Sequence, residues 1–236
     1  MLPLPVVAAT PFDAPIFKVA VLEDAPPLGY RDASGKLTGF SVAIMQAMCD
    51  EINVRCEFQP SSLEHLLDDL ATGHFDVAAV GLLNTPERRR RLLFTRPIYR
   101  SQTLLFARPG MQPGQSTMRI STFKGSAQER YIRQQGWDAI GAQTDGEIVE
   151  QLTAGIAQAC VVPLMTSLNL RKNGSFLKLG LEPTVLPAPD LESNASFALA
   201  PQHGELKAAL DRALDKIKVN GVYDRINSKF LPFRVD

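Results

Sequence analysis

Arg88 stands where a basic side chain can hold an anion. It closes the run Gly81-Leu-Leu-Asn-Thr-Pro-Glu-Arg, in which Thr85 suits a helix cap and Pro86 a first helical turn. The spacing predicts a guanidinium near a helix N-terminus, just beyond the carboxyl end of a strand. There it grips a carboxylate through two parallel, charge-assisted hydrogen bonds, and the helix end adds favourable potential. Arg89, Arg90 and Arg91 read instead as a solvated basic face, the usual role of consecutive like charges. The acids nearest such a site are Glu23 and Asp24, in the loop after the first apolar strand. His65, His74 and His203 lack an i,i+4 partner or a cluster at metal-ligand spacing, so no metal is expected. No nucleophile elbow, phosphate loop or dinucleotide fingerprint appears, and no cofactor is expected. Trp137 reads as packing, and core filling is the default for Tyr30 and Phe40, which could otherwise wall a cleft.

These residues need a scaffold, and the chain repeats one. Residues 69–80, Asp-Leu-Ala-Thr-Gly-His-Phe-Asp-Val-Ala-Ala-Val, are echoed at 151–162 by Gln-Leu-Thr-Ala-Gly-Ile-Ala-Gln-Ala-Cys-Val-Val. Each copy reads as a helix end, a glycine stop and a buried strand. Helix, glycine and strand are a common unit, so coincidence is the alternative to duplication, which the match favours. Duplication implies two similar α/β lobes, with ligands beyond the carboxyl ends of the strands. The first unit is predicted from a strand at Phe17–Leu22, a helix from Phe40 to Asp50, a strand at Val54–Gln59, a helix at Ser61–Leu70 capped by Ser61, and a strand at Val77–Val80. Thr103–Ala107 reads as a crossing strand, followed by strands at Met118–Ser121, Ala139–Gln143 and Cys160–Val162. A strand near Ser196–Ala200 and helices at Glu205–Val219 and Val222–Phe230 end the chain. If those helices return to the first lobe, two strands cross between lobes and form a hinge. The expected division is 1–102 and 197–236 for lobe one, and 103–196 for lobe two.

Lysine plus arginine balance aspartate plus glutamate at 25 each, which leaves no overall field for nucleic acid or an anionic membrane. No run of about 18 apolar residues suggests a membrane span. The opening Met1-Leu-Pro-Leu-Pro lacks a basic n-region, and Met1 fits the start of a mature protein or an excised domain. Cys49 and Cys56 are placed at a helix-to-strand turn, where a disulfide is predicted; that bridge implies an oxidising compartment. Two buried thiols in a reducing compartment satisfy the same spacing. Cys160 reads as a small core residue.

Together, Gly81-Leu-Leu-Asn-Thr-Pro-Glu-Arg, Gly35-Lys-Leu-Thr-Gly-Phe, Lys124-Gly-Ser-Ala-Gln-Glu and Asn220-Gly-Val-Tyr-Asp resemble bacterial extracytoplasmic solute-binding proteins of the polar-amino-acid class. The resemblance runs from Phe17 to Phe230. It is nearest to the lysine/arginine/ornithine- and histidine-binding members, which carry a cysteine pair at the spacing of Cys49 and Cys56. It implies an α/β, two-lobed type II periplasmic-binding (Venus flytrap) fold, each lobe a mixed sheet flanked by helices, with two hinge strands. It also implies a periplasmic or extracytoplasmic location and a ligand site carried over residue by residue. Arg88 takes the position that grips the ligand carboxylate, Gly81 one whose backbone faces the ligand, and Leu63 an apolar contact. Ser126 and Gln128 keep the pattern of the second-lobe loop.

Other positions depart from the family. Leu22 replaces an acid, Ala25 an aromatic, Val80 and Leu83 small hydroxyl residues, and Ala127 a threonine. Pro163 stands where the family's carboxylate pairs with the ligand ammonium. Micromolar binding amounts to about −8 kcal/mol, and one buried unpaired charge costs about 3–5 kcal/mol. An ordinary amino-acid pose is therefore badly weakened. Glu23 serves the amine in its place, the ligand lacks that amine, or the cleft binds nothing.

The leading expectation is a non-enzymatic binding protein that closes on a small carboxylate-bearing solute, an amino acid or a relative, for uptake through an ABC permease. The same flytrap serves as the sensor domain of a transmembrane receptor, such as a histidine kinase or a cyclic-dinucleotide enzyme. A dehydratase of the same fold is the enzyme alternative and needs a positioned acid in the cleft.

Overall fold

A computed structural model describes residues 14–114 and 118–235. The opening Met1-Leu-Pro-Leu-Pro lies outside them. The chain begins with β1 (Ile16–Val21), a small hairpin sheet of β2 (Asp24–Ala25), β3 (Gly29–Arg31) and β4 (Leu37–Thr38), and then α1 (Phe40–Glu51). β5 (Arg55–Pro60), α2 (Leu63–Ala71) and β6 (Val77–Leu83) follow, then β7 (Leu93–Phe94), β8 (Tyr99–Ser101) and β9 (Thr103–Ala107). The second half holds β10 (Arg119–Phe123), α3 (Ala127–Gln134), β11 (Asp138–Ala142), α4 (Asp145–Thr153), β12 (Ala159–Pro163), α5 (Leu164–Leu170), α6 (Gly174–Lys178) and β13 (Glu182–Val185). β14 (Ser193–Leu199), α7 (Gly204–Val219) and α8 (Val222–Phe230) complete it.

Two larger sheets share one design. The first has the order β5-β1-β6-β14-β7, with β8 also paired to β14; the second has the order β11-β10-β12-β9-β13. In each, three parallel strands meet an antiparallel fourth: β14 beside β6, and β9 beside β12. The repeated segments occupy equivalent places. α2 stops before Gly73 (φ 77°) and leads to β6, as α4 stops before Gly155 (φ 70°) and leads to β12. Both strands are apolar throughout because both faces of each sheet are covered. On the first sheet, Leu66 and Leu70 of α2 pack over Ala20, Ala78 and Val80. Its other face meets α1, α7 and α8, where Met48, Leu210, Leu214 and Tyr223 surround Val19, Val77 and Phe197. The C-terminal helices therefore return to the first sheet, and the Tyr223 hydroxyl donates to Ile98 O at 2.7 Å.

Cys49 at the end of α1 and Cys56 in β5 form the expected disulfide, with Cα atoms 6.3 Å apart. Cys160 is free and buried. Some local expectations shift. α2 starts after Ser62, not Ser61, and neither serine caps it with its side chain; Ser61 N is drawn away to Val21 O. β6 runs on to Leu83 because β14 pairs along it as far as Ala195. Beyond Pro86 there is a single 3-10 turn, Arg88–Arg90, instead of a longer helix, since the chain must turn back at once into β7.

Candidate functional site

The carboxyl ends of both sheets face one interior cavity of about 80 Å³. Arg88, Gly81, Leu63, Leu83, Ser126, Ala127 and Pro163 all line it, as do Leu22, Ala25, Val80 and Gln128. Sequence reasoning missed Ser101, Phe123 and Thr166, which join them from β8, β10 and α5. Their only sequence signal is their place at strand ends or in the turn after one.

Arg88 is buried, with 4% of its surface exposed. Nη1 donates to Leu83 O at 3.1 Å and Nη2 to Gly125 O at 3.4 Å. Among the described residues no carboxylate forms an ion pair with it. Burial lowers its pKa to about 10, so the guanidinium stays protonated at neutral pH. A neutral carbonyl is a weak counterpart for a desolvated charge, and most of the guanidinium's five N–H groups remain for another acceptor. Arg89 stays at the surface, donating to Asn84 O at 2.6 Å, and Arg91 pairs there with Asp68.

α3 starts at the cavity wall. Ser126 Oγ accepts from Glu129 N at 3.0 Å, and the Glu129 carboxylate accepts from Gly125 N at 2.8 Å. This reciprocal capping fixes the loop that carries Gly125 and leaves the start of α3 toward Arg88. A helix N-terminus and a guanidinium converging on one cavity make an environment for an anion. Gln128 is tied to the crossing strand through Thr103 Oγ1 at 3.1 Å. Gly81 is obligatory in this packing, because a Cβ there would collide with the Tyr99 hydroxyl.

Apart from Ser101 and Thr166, the remaining wall is apolar: Leu22, Leu28, Leu63, Val80, Leu83, Phe123 and Pro163 among others. Glu23 is not part of it. Its carboxylate accepts from Arg31 Nε at 2.6 Å in a half-exposed pair, held there by the β2–β3 hairpin, which sets Asp24 opposite Tyr30. Asp24 is exposed. Phe40 is fully buried in the core against Tyr99 and Tyr223, and Trp137 packs on Tyr131. His203 pairs with Asp76 at 2.7 Å.

Contacts across the cleft hold the carboxyl edges together. Glu64 at the start of α2 meets Lys124 Nζ at 2.7 Å and Gln143 Nε2 at 2.9 Å, and Glu87 pairs with Arg130. The Lys124 and Gln143 bonds hold the Glu64 carboxyl below its usual range, and Glu64 raises Lys124. Gly125 (φ 76°) lies so close to α2 that a Cβ would sit 2.9 Å from Glu64 Cα.

Beyond the cavity, Asp145 opens α4 and is 5% exposed. Its Oδ2 accepts from Asn169 Nδ2 at 2.7 Å, while Oδ1 is buried with no hydrogen-bond partner. Burial pushes its pKa up to about 7, with a further rise from Asp24.

The chain is 24% identical over 221 residues to the histidine-binding periplasmic protein of Salmonella typhimurium, covering 89% of this chain and 85% of that protein. It is 25% identical over 251 residues to the L-arginine-binding protein of Pseudomonas aeruginosa, covering 100% and 93%. The structure of a histidine kinase sensor domain with similarity to periplasmic binding proteins superposes with a TM-score of 0.81 at 21% identity, covering 94% and 99% of the two chains. The profile of the bacterial extracellular solute-binding proteins, family 3, matches residues 17–233, a stretch that takes in both sheets and their helices. The chain belongs to that family.

Proposed function

We propose that this chain binds a small carboxylate-bearing solute, an amino acid or a relative, outside the cytoplasm and presents it to an ABC-type permease. Two lobes, 1–102 with 197–236 and 103–196, close over the solute, and Arg88 takes its carboxylate. The observation that carries this reading is the buried Arg88 guanidinium, whose hydrogen bonds are to two carbonyls and which has no acid partner among the described residues. Leaving a buried charge without its partner costs about 3–5 kcal/mol, a cost that an incoming carboxylate removes. Gly81, Leu63, Leu83, Ser126, Ala127 and Pro163 complete the proposed binding surface. The binding functions named for the relatives support the solute class, and the periplasmic location named for the histidine-binding relative supports the location.

A catalytic role draws no support from the cavity, since none of the residues lining it is an acid. The sensor and transport readings share the same closure on the same ligand. A thermal-shift screen of carboxylates and amino acids tests the binding step. Ligand at a hundredfold over its dissociation constant adds about 2.7 kcal/mol of stability. The expected result is a carboxylate-dependent shift that Arg88→Leu abolishes. Equal shifts in the native protein and the variant overturn the site.

A further inference from the structure

The wall around Arg88 narrows the solute further. An α-ammonium lies one carbon from its carboxylate, so a solute held by Arg88 brings that ammonium into the same small cavity. Apart from Ser101, Ser126, Gln128 and Thr166, whose neutral side chains carry no counter-charge, the surfaces around it are apolar, Leu63, Leu83, Phe123 and Pro163 among them. Pro163 ends β12 at the first turn of α5 and has no polar side chain to offer. Ser126 already accepts the Glu129 N–H at 3.0 Å. No acid is among the residues lining the cavity: Glu23 is bound to Arg31 at the surface, and Asp145, one of whose oxygens accepts from Asn169, lies outside the lining. Desolvating an ammonium against this wall opposes binding, whereas an apolar body gains from each Å² it buries there. The volume of about 80 Å³ is well below the roughly 300–1,000 Å³ of common ligand pockets, and it suits a short chain.

We infer that the solute is a short monocarboxylate with an apolar body and no α-ammonium group. This rests on the proposal that Arg88 takes the carboxylate. In this pose the carboxylate occupies the guanidinium and the start of α3, and the carbon chain lies against Leu63, Val80 and Phe123.

Isothermal titration of the whole chain with matched pairs tests it: propanoate against alanine, butanoate against 2-aminobutanoate, and 3-methylbutanoate against valine, with 3-methylbutanamide as the uncharged control. The expected result is that at least one deaminated acid binds about ten-fold or more tightly than its amino acid, a difference of about 1.4 kcal/mol. The amide does not bind, and Arg88→Leu loses the acid. Pro163→Asp, whose folding is checked by its melting curve, is expected to reverse the order within the pair. If an amino acid binds as tightly as its deaminated partner and Arg88→Leu abolishes that binding, the ligand class is wrong and the Arg88 reading stands. If no carboxylate binds at millimolar concentration, or the Arg88 variant binds equally well, the Arg88 reading falls and the ligand class falls with it.

Discussion

Arg88 Nη2 donates to the carbonyl of Gly125 across the cleft, at 3.4 Å, so the cation that faces the cavity also touches the loop of the opposite sheet. In the proposed function, ligand capture and lobe closure would meet in that one side chain. A solute that draws the guanidinium into line also changes a contact between the two halves, which is how a binding event becomes a conformational one.

Gly125 sets how closely the halves approach. Its φ of 76° disfavours any side chain, and a Cβ would press on the backbone of α2 at Glu64. Gly125→Ala is expected to weaken solute binding about ten-fold or more and to hold the lobes apart. The radius of gyration from small-angle scattering, with and without ligand, checks this. A variant that contracts like the native chain removes Gly125 from the closing surface.

Asp145 makes stability depend on pH. Its pKa rises from the ordinary 3.8 to about 7 in the fold, so between those values the folded chain holds a proton that the unfolded chain has released. That stabilisation is fully present below pH 3.8 and is lost as the pH climbs through about 7. Asp145→Asn cannot ionise, and relative to the native chain it is expected to gain roughly 2–4 kcal/mol between about pH 5 and pH 8. Urea unfolding at the two pH values measures it. Parallel pH curves for the two proteins would show that Asp145 titrates normally.

The Cys49–Cys56 bridge joins α1 to β5, and neither residue lines the cavity. Replacing both cysteines with alanine is expected to lower stability by about 2–3 kcal/mol, the chain-entropy value for so short a loop, while ligand affinity stays within about two-fold. Denaturant melts and a ligand titration on the same variant decide between a structural and a binding role.

What could be read from the residues followed from local rules. The twelve-residue echo marks equivalent helix–glycine–strand units because such a unit is short and its pattern lies within one stretch of chain. Arg88 was visible for the same reason: a strand, a Thr-Pro turn and a basic residue stand in sequence. The failures needed distant partners. Ser61 gave way to Ser62 at the start of α2 because Val21, from another strand, claims the Ser61 amide. Glu23 lies outside the cavity because the hairpin brings Arg31 to it. Asp145 drew no notice because its hydrogen-bond partner, Asn169, stands in another helix, beyond an intervening strand in the chain. The start of α3 was legible in principle as Ser126-x-x-Glu129, a capping pattern that here carries a wall of the site.

Ser193 of β14 pairs with Ser101 of β8 in the first sheet, so the two chain passages between the sheets leave it side by side from a hydrogen-bonded ribbon. Two separate threads would let the halves slide and rotate freely. A paired ribbon bends more readily than it shears in its own plane, so in the proposed closure it would favour one direction of motion over the others. On the proposed reading, each closure would then return the same groups to the same opposing places around Arg88.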